Sequence, residues 1–149
     1  IEFAVSDLVE ETVETFEALA KTRNKHLSSR IQPMLSMSGD EKAIRQLVTI
    51  LLDNAIKYAD DGGRIELVLE RQKNQIRLTV FNTAESVSRE SLGHLFDRFY
   101  RTDQSRNSRT GGYGLGLSIA SAIVNAHKGK IWAATQDEKS LMITAAFPL

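Results

Sequence analysis

The chain has 149 residues, of which 42% are hydrophobic, and its 19 basic side chains equal its 19 acidic ones in number. This length is enough for one domain with its own core, and a formal net charge of zero gives no argument for binding to nucleic acid or to a membrane surface. The absence of cysteine excludes a disulfide framework and a thiolate metal site. No apolar run approaches the length of about 18 residues that a membrane-spanning helix needs.

The first half of the chain predicts a helix, a strand and a second helix. Hydrophobic periodicity in SDLVEETVETFEALAKTRN indicates a helix with Ser6 and Asp7 as candidate capping residues. KHLSSRIQP is typical of a short strand that ends at Pro33. A helix is then expected in SGDEKAIRQLVTILLDNAIKYA, capped near Asp40, and its apolar centre requires burial.

The second half predicts two hairpins separated by a helix. A turn at DDGG (60–63) leads into alternating strands, RIELVLERQ and QIRLTVFN, joined by KN. A short helical turn is expected over 88–95 and a third long helix over about 114–128, before a closing hairpin of KIWAATQ and SLMITAAFP. This order predicts a two-layer α/β sandwich, with a mixed, mainly antiparallel sheet and three long helices on one face.

The segment LLDNAIKYA places three polar side chains on one face of the second helix, since Asn54 lies three residues before Lys57 and four before Tyr58. An asparagine within TILLDNAI is expected to be buried, at a cost unless its amide is satisfied. Its amide either bonds to neighbouring backbone while Lys57 and Tyr58 extend to solvent, or its carbonyl oxygen binds Mg²⁺. In the second case Lys57 reaches a phosphate and Tyr58 borders the sugar or base.

Glycines are concentrated in TGGYGLGLS, directly before the third long helix. They allow positive φ angles and a close approach of the backbone to a ligand, and the first N–H groups of the helix then face an anion. The alternative is a plain loop-to-helix junction. No G-K-[ST] follows and no strand leads directly into the segment, so it is neither a P-loop nor a Rossmann fingerprint.

Together, LLDNAIKYA, LFDRFYR and GGYGLGLSIASAIVNAHKGKI resemble the N box, F box and G2 box of the catalytic ATP-binding (HATPase_c) domain of bacterial sensor histidine kinases. These kinases belong to the gyrase, Hsp90, histidine kinase and MutL superfamily, and the F box separates them from its other branches. The resemblance covers the chain from about residue 3. It implies the Bergerat fold, binding of Mg-ATP, transfer of the γ-phosphoryl group to a histidine on a separate dimerisation domain, and a response regulator downstream in a two-component system.

The same resemblance implies that residues 1–149 are one domain of a longer sensor kinase, cytoplasmic in a parent protein of the inner membrane; a start at Ile1 fits such a fragment. Residues 97–113 would form a flexible ATP lid, with Phe96 and Phe99 anchoring its base in the core. Asn54 and Lys57 would be catalytic, and Asn54 would hold Mg²⁺. The residues assigned to the nucleotide are Asn54, Lys57, Tyr58, Asn82, Phe99, Tyr100, Arg101, Arg109, Gly112, Tyr113, Gly114, Leu115, Gly116 and Leu117.

The chain departs from the family pattern at the G1 box, usually D-x-G-x-G, where it has Asn82, Ala84 and Ser86. The loop should be stiffer, while the Asn82 carbonyl can still accept from the adenine amino group. Because an asparagine amide can also rotate to suit guanine, we expect weaker discrimination between ATP and GTP than an aspartate gives. Ile50 stands where many members have a polar residue, which implies a simpler Mg²⁺ site, and the glycine-rich G3 phrase is missing from EKSLMITAAFPL.

None of the three histidines, His26, His94 and His127, lies in an acidic helical context typical of a phosphate acceptor, and we interpret all three as structural. Three alternatives to the kinase remain. They are a nucleotide-binding pseudokinase with a degenerate G1 box, an anti-sigma-factor type of serine kinase, which the F box argues against, and a purely structural interaction domain without nucleotide affinity.

Overall fold

A computed structural model, which describes residues 1–97 and 116–149, has a layer of helices packed on one face of a five-stranded sheet. The described elements in chain order are β1 (Glu2–Ala4), α1 (Val5–Thr22), β2 (His26–Ile31), β3 (Ser36–Ser38), α2 (Glu41–Tyr58), β4 (Arg64–Gln72), β5 (Gln75–Thr83), α3 (Arg89–Leu92), α4 (Gly116–Ala126), β6 (Lys130–Ala134) and β7 (Ser140–Pro148). None of the helices in these two ranges is long and apolar enough to span a membrane.

The main sheet has the strand order β2-β4-β5-β7-β6, in which β2 and β4 are parallel and the other pairs are antiparallel. Alternate residues of β4 and β5 are buried, as period-2 patterning requires, whereas β7 is buried at every position from 143 to 147. In one cross-strand row Leu67 pairs with Val80, which pairs with Ile143, and all three are buried beneath the helices. Both predicted hairpins and the predicted fold class are therefore confirmed.

The start of α1 differs from the prediction. The helix begins at Val5, its N-cap residue is Ala4 with no side-chain cap, and the expected capping by Ser6 or Asp7 is wrong. Ser6 is buried instead; its hydroxyl donates to the Gln32 carbonyl (2.7 Å) and accepts from the Leu35 N–H (2.9 Å). The cause is a two-stranded sheet of β1 and β3 that the sequence did not predict. Because β1 leads directly into α1, the helix begins two residues earlier than a cap at Ser6 would place it.

The start of α2 is capped as predicted, because the Asp40 carboxylate accepts from the Ala43 N–H at 3.2 Å. His127 also contacts the N-terminal end of α2. Its Nε2 accepts from the Asp40 N–H (3.0 Å) and its Nδ1 donates to the Ile123 carbonyl (2.8 Å). The structural role predicted for His127 is confirmed, since the ring fastens the C-terminal end of α4 to the N-terminal end of α2.

Candidate functional site

The C-terminal half of α2 carries Asn54, Lys57 and Tyr58, all half-buried at the edge of the core. The expectation that Asn54 is buried is therefore met only in part. Within residues 1–97 and 116–149 the Asn54 amide has no hydrogen-bond partner, so the interpretation in which it bonds to neighbouring backbone is not observed there. The Lys57 ammonium lies 3.2 Å from an Asp53 carboxylate oxygen, an i, i+4 pair that keeps it at the helix surface.

The N-terminal end of α4 lies beside the same face of α2. A Cβ atom placed on Gly116 would be 3.7 Å from Ile50 Cγ2, which is ordinary van der Waals contact. Ile50 lies four residues before Asn54 and hence directly below it on the helix. Leu117, also half-buried, packs against the core. The first turn of α4, whose N–H groups favour an anion, is thus next to the Asn54 face.

Asn82 occupies the end of β5, between Ile65 of β4 and Leu141 of β7, and is only 2% exposed. Its Nδ2 donates to the Thr83 carbonyl at 3.0 Å. Its Oδ1 accepts no hydrogen bond from the part of the chain that the structure describes. A buried polar atom without a partner costs free energy, and this oxygen is free to accept a hydrogen bond.

A tight connection between α2 and β4 joins the end of α2 to the end of β5. The Thr83 hydroxyl donates to an Asp60 carboxylate oxygen (2.5 Å), and the Asp60 N–H donates to the Thr83 carbonyl (3.3 Å). The Lys25 ammonium donates to the Ile56 carbonyl in the last turn of α2. Burial, followed by repulsion from Arg23, lowers the pKa of Lys25 below its ordinary value. The Asp60–Thr83 contacts hold the end of α2 against the end of β5, and Lys25 ties the same end of α2 to the connection between α1 and β2.

Eight of the predicted nucleotide residues lie outside the described residues: Phe99, Tyr100, Arg101, Arg109, Gly112, Tyr113, Gly114 and Leu115. Almost all of the predicted lid lies there too. Phe96, one of its two expected anchors, is half-buried and packs against the core. Of the predicted set, the structure therefore places Asn54, Lys57 and Tyr58 on the C-terminal half of α2, where Ile50 lies beside Gly116 at the start of α4, and places Asn82 at the neighbouring strand end.

Residue Arg89, which sequence reasoning did not single out, contacts the turn between β6 and β7. Its guanidinium donates to the carbonyls of Thr135 and Gln136, both at 3.1 Å. Nothing local in the sequence signals these contacts, because they join positions more than 40 residues apart.

The chain as a whole is similar to known proteins. Residues 39–149 match the family model described as Histidine kinase-, DNA gyrase B-, and HSP90-like ATPase. The signal transduction histidine-protein kinase BaeS of Escherichia coli (strain K12) is 38% identical over 128 residues, and the sensor protein DltS of Streptococcus agalactiae serotype III is 36% identical over 146 residues. These alignments cover 86% and 97% of this chain, which spans only 27% and 36% of the two relatives.

Among solved structures, the catalytic domain of histidine kinase ThkA is similar to this chain with a TM-score of 0.84 and 25% sequence identity. The match covers 99% of this chain and 95% of that one. The similarity therefore extends over nearly the whole length of a separately solved kinase domain.

Proposed function

Because the chain belongs to the family of histidine kinase-, DNA gyrase B- and HSP90-like ATPases, we propose that it binds ATP and transfers the γ-phosphoryl group to a histidine on a separate dimerisation domain. The observation that carries this proposal is that the Asn54 amide and the Asn82 Oδ1, each without a partner among the described residues, lie at the neighbouring ends of α2 and β5. A sensor kinase of this kind would phosphorylate a response regulator, and this domain would work in the cytoplasm.

Phosphoryl transfer depends mainly on positioning the nucleotide and neutralising its charge. The Asn82 Oδ1 would accept from the adenine amino group and so orient the base. Lys57, already held near the Asn54 face, would exchange its Asp53 partner for a phosphate oxygen. The first N–H groups of α4 would face the phosphates, favoured by the helix dipole. Tyr58, in the last turn of α2, would border the sugar or base.

The oxygen donors of the site fit Mg²⁺. The described residues contain no group of three or more His, Cys, Asp or Glu that could hold a metal by itself. Mg²⁺ bound with nucleotides usually needs only one or two protein ligands, the rest being phosphate oxygens and water. Asn54 offers such a ligand through its carbonyl oxygen. When bound, Mg²⁺ neutralises phosphate charge during transfer.

A titration followed by a transfer assay tests the proposal. We expect micromolar binding of ADP and of an unhydrolysable ATP analogue, tighter with Mg²⁺ than without it. Addition of the parent kinase's dimerisation domain and labelled ATP should then yield an acid-labile, alkali-stable phosphohistidine. Nucleotide binding without transfer would instead support the pseudokinase, and no binding at millimolar nucleotide would support an interaction domain.

Base selectivity provides a further prediction, centred on Asn82. Rotating its amide to suit guanine would bring Oδ1 against the Thr83 carbonyl and lose the 3.0 Å hydrogen bond, which is worth about 1 kcal/mol. We therefore expect ADP to bind about fivefold more tightly than GDP. Asn82→Asp should increase this preference by about 1–2 kcal/mol, since a carboxylate cannot donate to guanine O6. Competition titrations measure both ratios, and identical ratios in the two proteins would contradict the prediction.

A further inference from the structure

The segment that follows Asn82 is fastened to the turn between β6 and β7. The Ala84 N–H donates to the Lys139 carbonyl (2.9 Å) and the Val87 N–H to the Glu138 carbonyl (2.7 Å). The first of these bonds extends the β5–β7 pairing by one residue beyond Thr83 and Ser140. The segment lacks the glycines of the usual G1 box, and its path is set by these two bonds.

The turn that receives these bonds is itself well ordered by side chains. The Thr135 hydroxyl accepts from the Glu138 N–H (3.0 Å), and Thr135 is buried. Asp137 accepts from the Lys139 N–H (3.0 Å) and from the Ser140 hydroxyl (2.9 Å), and these two bonds hold the pKa of its carboxyl below the ordinary value. Three internal hydrogen bonds therefore stabilise the turn to which Ala84 and Val87 are bonded.

Arg89, the first residue of α3, also bonds to the turn between β6 and β7. Its Nη1 and Nη2 each donate to one carbonyl of the turn, Thr135 and Gln136, and its Nε lies 3.4 Å from a Glu138 carboxylate oxygen. A planar guanidinium suits this arrangement because its donors form a rigid fork, which a lysine ammonium cannot reproduce. The exposed ion pair with Glu138 adds little, so the two carbonyl contacts define the geometry.

We infer that Arg89 is a positioning residue for the nucleotide site: it holds residues 84–89 on the β6–β7 turn and so fixes Asn82 relative to the end of α2. Arg89 does not touch the nucleotide in this scheme. It acts through Ala84 and Val87 on the strand end where the base binds. The inference rests on the proposed function, since it concerns the base-binding end of the same site.

The test measures ADP and GDP affinities of the wild type, Arg89→Ala and Arg89→Lys, together with hydrogen exchange at the amides of Ala84 and Val87. In Arg89→Ala we expect ADP to bind about five- to tenfold more weakly than to the wild type. The ratio of the ADP affinity to the GDP affinity should fall towards one, and the amides of Ala84 and Val87 should exchange their hydrogens faster. Arg89→Lys should lie between the wild type and alanine, because an ammonium reaches one carbonyl rather than two.

Two controls make the outcome specific. Glu138→Gln removes the ion pair but leaves both carbonyl contacts, so it should bind like the wild type. Arg45→Ala removes an exposed arginine that pairs with Glu11 and Glu41 at the far end of α2, and should also bind like the wild type.

Unchanged ADP affinity in Arg89→Ala, or an equal fall in the affinities for ADP and GDP, would overturn the inference. A wild type that binds no nucleotide would instead overturn the proposed function.

Discussion

Asn54→Ala should abolish the magnesium-dependent part of nucleotide binding and lower phosphoryl transfer about 100-fold or more, while the folded protein stays as stable as before. The Asn54 amide, half-buried on α2, has no partner within residues 1–97 and 116–149. Its removal therefore breaks no described hydrogen bond. Alanine is also the better helix former by about 0.5 kcal/mol, so the melting temperature should be unchanged or slightly raised.

The measurement compares ADP titrations with and without Mg²⁺, backed by thermal unfolding. Asn125→Ala is the matched control, because Asn125 is an exposed asparagine on α4 and undergoes the same chemical change. It should match Asn54→Ala in stability and the wild type in binding. Asn54→Asp retains an oxygen ligand and should keep the response to Mg²⁺. If Asn54→Ala still bound ADP more tightly with Mg²⁺, the assignment of Asn54 to the metal would be wrong.

The sequence predicted those parts of the fold whose signals are local and periodic. The β4–β5 hairpin has a strict period of two and a two-residue turn, and α2 has both an apolar stripe and a capping aspartate at position 40. The β1–β3 sheet was missed, because three-residue strands carry no period. The role of Ser6 was misjudged for the same reason: its partners, Gln32 and Leu35, become neighbours only through that sheet.

For the site, the sequence drew attention to Asn54 because an asparagine is unusual in an apolar helix. It drew attention to Asn82 only because this residue stands at the first position of the family's G1 box. The roles of both residues towards the nucleotide stay predictions. The sequence could not show how the site is held together. Arg89 looks like any exposed arginine of a short helix, and its partners are backbone carbonyls, which no residue type reveals. The contact between Asp60 and Thr83 likewise depends on how α2 turns back onto the sheet.

The turn between α2 and β4 depends on Gly63. Gly63→Ala should therefore lower the free energy of unfolding by about 2–4 kcal/mol. A Cβ atom on Gly63 would lie 2.2 Å from Asp60 Oδ1, 2.4 Å from Thr83 Oγ1 and 2.7 Å from the Asp60 carbonyl oxygen. The first two atoms are the partners of the hydrogen bond that joins the end of α2 to the end of β5. The third belongs to the backbone and cannot rotate away.

Urea unfolding measures this loss, with Gly93→Ala as the control, since a Cβ atom on Gly93 meets nothing within 4 Å. The control should change the free energy of unfolding by no more than about 0.5 kcal/mol. Asp60→Ala combined with Gly63→Ala should cost less than the sum of the two single changes, because the nearest clashing atom is gone. ADP should also bind more weakly to folded Gly63→Ala than to the wild type, because the turn that joins the end of α2 to the end of β5 has shifted. Full stability in Gly63→Ala would show that the turn can relax without moving α2, and the account of how the site is held together would fail.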